Sequence, residues 1–319
     1  MREFPDMEVV GINWRNATVD YVAYMLKYDT AYGRFPEKVE TYDKGIIVGG
    51  RKIPVYFEED PSKIPWAECG AEYVIDGTGK LTTTEKSAPH LAAGAKKVII
   101  SAPAKDKVTP TFVYGVNHKE YTADMDVVSA ASCTTNCLAP MCKVVNDKWG
   151  IEEGLLTTIH ATTGKQKTND GRSNYNWRMG RSVFNNIIPT TTGAAKAVAL
   201  VIPELKGALT GLAFRIPSID VSAVDLDIRL KTPASLEEIN QAMKEASEGE
   251  LKDVLCYTDE EVVSLDFLGC PQPSVYDSGM GIQVNPQFFK LVGYYDNEFG
   301  YTSNMLRLVR HMAEVDSAE

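Results

Sequence analysis

No stretch of the chain approaches the roughly 18 apolar residues in a row that a membrane-spanning helix needs. The opening Met1-Arg2-Glu3-Phe4-Pro5-Asp6 carries no signal-peptide core. Basic residues are in the minority: 33 Lys and Arg face 43 Asp and Glu, for a formal net charge of -10. A chain of that sign has no general attraction for nucleic acid or an anionic membrane surface, so neither is expected as a partner. A local basic pocket for a small anion stays open, because net charge does not describe one site. The 6 cysteines are sparse and lack paired C-x-x-C spacing, which argues against a disulfide framework and against a metal site. The expected compartment is reducing and cytoplasmic. No G-x-G-x-x-G occurs in the first 130 residues, so the usual pyrophosphate-binding turn is missing from them.

What is present is an ordinary globular composition, 44% hydrophobic and 24% charged over 319 residues, enough for two domains. In the first 130 residues, strands alternate with helices. Glu8–Asn13, Glu72–Gly79, Lys97–Ser101 and Met125–Ser129 read as strands, with a helix carrying Val19, Val22, Met25 and Leu26 on one face. Residues 45–57 read as a hairpin turning at Gly49-Gly50. This implies a parallel, doubly wound α/β sheet. Further on, Val224, Leu226, Ile228 and Leu230 alternate with Asp225, Asp227 and Arg229, the pattern of a strand in an antiparallel sheet with one wet face. Ser235-Leu236-Glu237-Glu238 is a capping box opening a helix, and Met305, Leu308, Val309 and Met312 share a face of the last one. Residues 313–319 read as a solvated acidic tail.

Chemistry concentrates at Ser132-Cys133-Thr134-Thr135-Asn136-Cys137, where a buried strand gives way to a helix with Leu138, Met141, Val144 and Val145 on its apolar face. A cysteine at a helix start meets unpaired N–H groups that favour its thiolate. His160 ends an apolar strand and enters a polar loop, making a candidate base for that nucleophile. Thr190-Thr191-Thr192-Gly193 opens another helix, where hydroxyls and backbone N–H groups can receive an anion. Arg215 lies within an apolar strand, and a buried guanidinium requires an anionic partner from the protein or from a ligand.

The run Ser-Cys-Thr-Thr-Asn-Cys-Leu-Ala-Pro at 132–140 resembles the active-site signature of the phosphorylating glyceraldehyde-3-phosphate dehydrogenases. The resemblance continues through His160-Ala161-Thr162-Thr163, Asn186-Ile187-Ile188-Pro189, Thr192-Gly193-Ala194-Ala195-Lys196, Leu212-Ala213-Phe214-Arg215 and Tyr295-Asp296-Asn297-Glu298-Phe299-Gly300. It implies an incomplete doubly wound (Rossmann-type) domain at 1–132 plus 297–319 and an α+β catalytic domain with a mostly antiparallel sheet at 133–296. It implies NAD as cofactor, oxidation of glyceraldehyde 3-phosphate with inorganic phosphate in glycolysis, and a homotetramer with the loop from Trp177 to Phe184 at a subunit contact. Cys133 matches the nucleophile and His160 the base. Ser132, Thr134, Thr192 and Gly193 match the pocket for the attacking phosphate. Thr163 and Arg215 match the pocket for the substrate's own phosphate, Arg181 matches another anion contact, and Ser101 and Asn297 match contacts to the nicotinamide half of NAD.

Four departures accompany the match. The chain corresponds to the family from its second strand onward, so the first strand and the Gly-rich turn are expected to be missing and the sheet to be left with two inner edges. Trp14 stands where the family has the acid that grips the adenosine ribose, Glu59 where it has a cation, and Lys165 where it has a phosphate-binding Thr. The first three bear on the adenosine and pyrophosphate half of the cofactor site. Two other readings therefore stay open at this point: a thiol-bearing relative with impaired dinucleotide binding, and an erythrose-4-phosphate dehydrogenase.

Overall fold

The structure, a computed structural model, describes residues 3–174 and 176–318. It divides into two compact units: residues 1–111, 121–130 and 309–319 form the first, and residues 112–120 and 131–308 the second.

The first unit opens with β1 (Ile12–Asn13) and α1 (Val19–Lys27), the latter capped by the Thr18 hydroxyl accepting from Tyr21 N. A small ribbon, β2 (Tyr28–Asp29) with β3 (Gly33–Arg34), leads into β4 (Val39–Tyr42), β5 (Gly45–Val48) and β6 (Arg51–Tyr56). The β5–β6 hairpin turns on Gly49 and Gly50, whose φ values of 56° and 83° are left-handed and suit glycine. After α2 (Trp66–Cys69) come β7 (Tyr73–Asp76), α3 (Thr84–Ala92), β8 (Lys97–Ile100) and β9 (Val127–Ser129).

These strands do not form one continuous sheet. One sheet has the order β1-β6-β5-β4, with only β1–β6 parallel, and a separate all-parallel sheet has the order β7-β8-β9. The doubly wound architecture is thus present but interrupted, as expected of an incomplete sheet. The strand expected from Glu8 shrinks to Ile12–Asn13 because β1 is an edge, laddered only to β6 through Ile12 opposite Val55 and Asn13 opposite Tyr56. Each sheet keeps its own apolar packing, around Val22, Ile46, Ile53 and Val55 for the first and around Val98, Ile100 and Val127 for the second.

In the second unit, α4 (Cys133–Trp149) leads into β10 (Ile151–His160), β11 (Ile188–Thr191), α5 (Ala194–Val201), β12 (Leu209–Arg215) and β13 (Ser222–Leu230). Then follow α6 (Leu236–Glu248), β14 (Leu255–Thr258), β15 (Ser274–Asn285), β16 (Phe288–Tyr295) and α7 (Phe299–Ala318), the last belonging to this unit up to Leu308 and to the first unit from Val309. The strands make one sheet ordered β11-β12-β10-β13-β16-β15-β14, antiparallel except for β10–β12 and β14–β15. The even residues of β13 behave as their spacing requires: Val224, Leu226, Ile228 and Leu230 are fully buried, each contributing about 1.5–3 kcal/mol relative to exposure. They share a core with Leu138, Met141 and Val145 of α4 and with Ile239 and Met243 of α6. The capping box at Ser235 and Glu238 forms as expected.

The acidic tail is not a solvated tail. Helix α7 runs on to Ala318, and Asp316 accepts hydrogen bonds from the hydroxyls of Tyr73 at 2.6 Å and Tyr121 at 2.9 Å, all within the first unit. A run of small and acidic residues resembles a tail when its distant phenol partners cannot be read from spacing. Glu319 lies outside the described residues.

Candidate active site

The parallel pair β10–β12 in the sheet of the second unit sets up the site. In β10 and β12, His160 and Arg215 are register partners, so the two strand ends deliver an imidazole and a guanidinium side by side. Helix α4 begins at Cys133, with Ser132 as its N-cap; the Ser132 hydroxyl accepts from Thr135 N at 3.1 Å. Two residues earlier, Ala131 has φ 58°, a left-handed conformation that a residue with a Cβ rarely takes. Val221 is at φ 58° as well, a stronger outlier for a β-branched side chain. Backbone strain of this kind gathers where a fold must aim particular groups. Val221 precedes Ser222, whose hydroxyl accepts from Ala161 N at 3.0 Å and donates to Asn297 Oδ1 at 2.7 Å.

The Cys133 Sγ lies 3.5 Å from Nε2 of His160, a ring only 3% exposed. The other ring nitrogen, Nδ1, is 2.7 Å from Arg215 Nη1 and 2.8 Å from the Ala161 carbonyl oxygen. Tyr295 stands edge-on to the ring at 5.8 Å, its phenol bridging Thr134 Oγ1 at 2.8 Å and Thr158 Oγ1 at 2.9 Å. Burial, aided by the nearby Arg215 charge, pushes the His160 pKa down to about 4, so the ring is neutral near pH 7. Burial also raises the Cys133 pKa; Arg215 and the hydrogen bond from Thr134 pull the other way without overcoming it.

Arg215 has no carboxylate partner among the described residues. Its Nη1 also donates to Ala161 O at 3.2 Å, and its buried Nε has no partner at all. A half-buried cation whose inner nitrogen is left in this state is suited to an external anion. Thr163 donates through both N and Oγ1 to Gln166 Oε1, at 2.7 and 2.9 Å, while the buried Gln166 Nε2 is also unpartnered. Thr192 Oγ1 accepts from Ala194 N at 3.2 Å, and Gly193 caps α5 with no side-chain bond, so other N–H groups of its first turn remain on offer.

Arg181 is exposed and paired with Asp170 at 2.9 Å. Ser101 follows β8 in the first unit, its N–H donating to Asp76 O at 3.0 Å. Trp14 is 41% exposed just past β1, and Glu59 pairs with Arg15 at 3.0 Å. Sequence reasoning missed Tyr295, Ser222 and Gln166 as parts of the site. Tyr295 opens a quoted motif, but only the fold shows its hydroxyl between two threonines. No cluster of His, Cys, Asp and Glu among the described residues could hold a metal ion.

Comparison with known proteins decides the lineage. Residues 132–297 match the family model for the glyceraldehyde 3-phosphate dehydrogenase C-terminal domain, and residues 1–84 match that for its NAD binding domain. The chain belongs to the glyceraldehyde-3-phosphate dehydrogenase family. It is 53% identical over 314 residues to glyceraldehyde-3-phosphate dehydrogenase 2 of Mucor circinelloides f. lusitanicus, covering 98% of this chain and 92% of that one. It is 54% identical over 311 residues to the cytosolic enzyme of Craterostigma plantagineum, covering 97% and 91%. With glyceraldehyde-3-phosphate dehydrogenase 3 of Saccharomyces cerevisiae it is 51% identical over 310 residues, covering 97% and 93%. The Ser-Cys-Thr-Thr-Asn-Cys run that opens α4 thus lies inside the C-terminal model of its family, as does His160.

NAD is the cofactor of this family. The Ser222 hydroxyl donates to Asn297 Oδ1, which fixes the amide with its NH₂ as the remaining donor.

Proposed function

We propose that Cys133 and His160 are the catalytic pair of an NAD-dependent glyceraldehyde-3-phosphate dehydrogenase that acts in glycolysis. The 3.5 Å approach of Sγ to Nε2, inside a chain of this family, is the observation that carries the assignment. The substrate is a small molecule. In this reading it is glyceraldehyde 3-phosphate, and inorganic phosphate is the second substrate.

The sulfur of Cys133 attacks the aldehyde carbon, and its thiol proton passes by way of His160 to the former carbonyl oxygen, which gives a hemithioacetal and leaves His160 neutral. Bound NAD supplies the acceptor for the hydride that leaves this carbon. His160 takes the hydroxyl proton as the C–O double bond re-forms, which leaves a thioester on Cys133. A phosphate oxygen then attacks the acyl carbon, the C–S bond breaks, and Cys133 departs as thiolate, giving 1,3-bisphosphoglycerate. Burial suits His160 to this work: a ring held neutral near pH 7 can accept a proton.

Ser132, Thr134, Thr192 and Gly193 hold the attacking phosphate, supported by two helix N-termini, those of α4 and α5. Thr163 and Arg215 hold the phosphate of the substrate, supported by the unpartnered Nε of Arg215, with Arg181 as a further anion contact once it leaves Asp170. Ser101 and Asn297 bind the nicotinamide half of NAD. Residues 1–132 with 297–319 act as the NAD-binding domain and 133–296 as the catalytic domain.

We place the protein in the cytoplasm as a homotetramer. Relatives from Craterostigma plantagineum and Gracilaria gracilis are named cytosolic, and no helix among the described residues is long and apolar enough to cross a membrane. Trp177, 89% exposed, with exposed Phe184 and Ile187, offers an apolar surface for a subunit contact. The match of residues 1–84 to an NAD binding domain disfavours a relative that no longer takes dinucleotide.

The test is formation of NADH from NAD and glyceraldehyde 3-phosphate, followed at 340 nm with phosphate present or withheld. Turnover that requires phosphate, with a thioester trapped on Cys133 in its absence, supports the reading. No binding of NAD at millimolar concentration would refute it.

A further inference from the structure

The loop that leaves β10 is pinned residue by residue. Ala161 N donates to Ser222 Oγ at 3.0 Å, and Thr162 donates through N and Oγ1 to Ser218 O at 3.0 and 2.9 Å. Thr163 has no bond to that neighbouring segment among the described residues. Its N–H and its hydroxyl both go to Gln166 Oε1, at 2.7 and 2.9 Å, and its carbonyl accepts from Gln166 N at 2.9 Å. Thr163-Gly164-Lys165-Gln166 therefore closes on itself as a β-turn, with three bonds between its two ends. The spacing is that of a capping box, a Thr followed three residues later by a Gln, yet no helix opens there. In a capping box the hydroxyl accepts from the backbone of the later residue. Here it donates to that residue's side chain instead.

We infer that Gln166 is a positioning residue for the phosphate of the substrate: it fixes Thr163 through the backbone and holds the hydroxyl hydrogen of Thr163 until a phosphate oxygen takes it. The inference deepens the proposed function and rests on its assignment of Thr163 to that phosphate. A hydroxyl hydrogen swings about its C–O bond without moving the oxygen. When it does so here, Gln166 Oε1 keeps the bond from Thr163 N, and Gln166 N keeps the Thr163 carbonyl, so the turn stays closed. Thr163 is only half-buried, which leaves it within reach of a solute. The exchange replaces a bond to a neutral amide oxygen with one to a charged oxygen, and the second is the stronger.

The orientation of the amide follows from the same bonds. Thr163 N is a donor only, so the oxygen of the amide must face it and Nε2 must point away. That Nε2 is buried and has no partner, a loss that turning the amide over would not mend, since its NH₂ would then meet the Thr163 N–H. The side chain thus carries an unpaired donor in order to keep an acceptor at Thr163.

The test is the ratio of kcat/KM for glyceraldehyde 3-phosphate to kcat/KM for unphosphorylated glyceraldehyde, since only the first carries the group that Thr163 holds. Gln166→Met fills similar space without an acceptor and should lower this ratio roughly tenfold, through the KM of the phosphorylated substrate. Gln166→Glu keeps both bonds to Thr163, so the turn still closes, but its charge retains the hydroxyl hydrogen and repels a phosphate. It should lower the ratio at least as far. In a Thr163→Val background, Gln166→Met should have little further effect, because the hydroxyl it serves is gone. A ratio left unchanged by either Gln166 variant, as a merely structural role would leave it, overturns the inference, and so does full additivity with Thr163→Val. A ratio unmoved by both Thr163→Val and Arg215→Gln would instead remove the phosphate assignment itself.

Discussion

Each unit buries one histidine inside a polar cluster, and the two clusters differ in what they leave undone. In the first unit, His90 is 4% exposed and sits between Trp66 Nε1, which donates to its Nδ1 at 3.0 Å, and Asp76 Oδ2, 3.3 Å from its Nε2. An indole donates only, so the remaining ring hydrogen must go to Asp76. Asp76 also accepts from Thr78 N and Oγ1, at 3.0 and 2.7 Å. Burial alone would raise its pKa, but these hydrogen bonds and His90 hold it below the usual carboxylate value. Every group has a partner of the right kind. In the second unit, His160 sits between a cation and a thiol, and a buried donor of Arg215 has nothing to bind. Burial is shared, so burial does not make a histidine reactive. Unmatched neighbours do.

The largest effects should fall on the unmatched cluster. Cys133→Ser removes the nucleophile and should lower kcat by roughly 10⁴-fold or more. His160→Asn should cost roughly 10²–10⁴-fold in kcat, with the urea unfolding midpoint little changed. His90→Leu should invert that outcome. It strands the Trp66 N–H and takes one partner from Asp76, which should cost about 2–4 kcal/mol of stability while turnover is largely kept. If His90→Leu lost activity without losing stability, the contrast between the clusters would collapse.

The pH dependence of stability sharpens the comparison. His160 has an ordinary pKa of 6.5 when unfolded and about 4 when folded. Across that window the unfolded chain holds a proton at this residue that the folded protein does not. Stability therefore falls as pH drops from 6.5 toward 4 and is whole above the window; the full amount is about 3 kcal/mol. Urea titrations at a series of pH values should show this slope in the wild type and a flatter one in His160→Asn.

How much of this could be read from residue order depends on range. The alternation of β13, the capping box of α6 and the Cys133 helix start are local patterns, and each appears where spacing puts it. The pairing of Cys133 with His160 was legible because both ends of the pair carry recognisable surroundings. The register that sets His160 beside Arg215 was not, since strands β10 and β12 lie far apart in the chain and only the sheet order makes them neighbours. For the same reason Arg215 looked like a residue awaiting a protein carboxylate as readily as one awaiting a ligand. The interruption of the first sheet was expected in outline, but not the shortness of β1, which depends on how many ladder partners an edge strand can find.

The smallest predicted effect lies one step from the reacting atoms. The Ser222 hydroxyl spends its hydrogen on Asn297 Oδ1 and its lone pair on Ala161 N, so one side chain orients both the amide proposed to bind NAD and the backbone beside His160. Its position is held by the left-handed Val221, whose N–H is tied to Asp220 Oδ1 at 2.7 Å. Ser222→Ala frees the amide to turn over and present its oxygen, which would face a carboxamide oxygen unfavourably. The expected loss is one hydrogen bond's worth, about 1 kcal/mol, read as a roughly fivefold rise in the KM for NAD. The KM for glyceraldehyde 3-phosphate should move much less, because Arg215 and Thr163 do not bond to Ser222. An equal rise in both constants would mean that Ser222 supports the backbone at Ala161 and not the amide of Asn297. The two clusters would then resemble each other more closely, each having a serine or threonine hydroxyl committed wholly to structure.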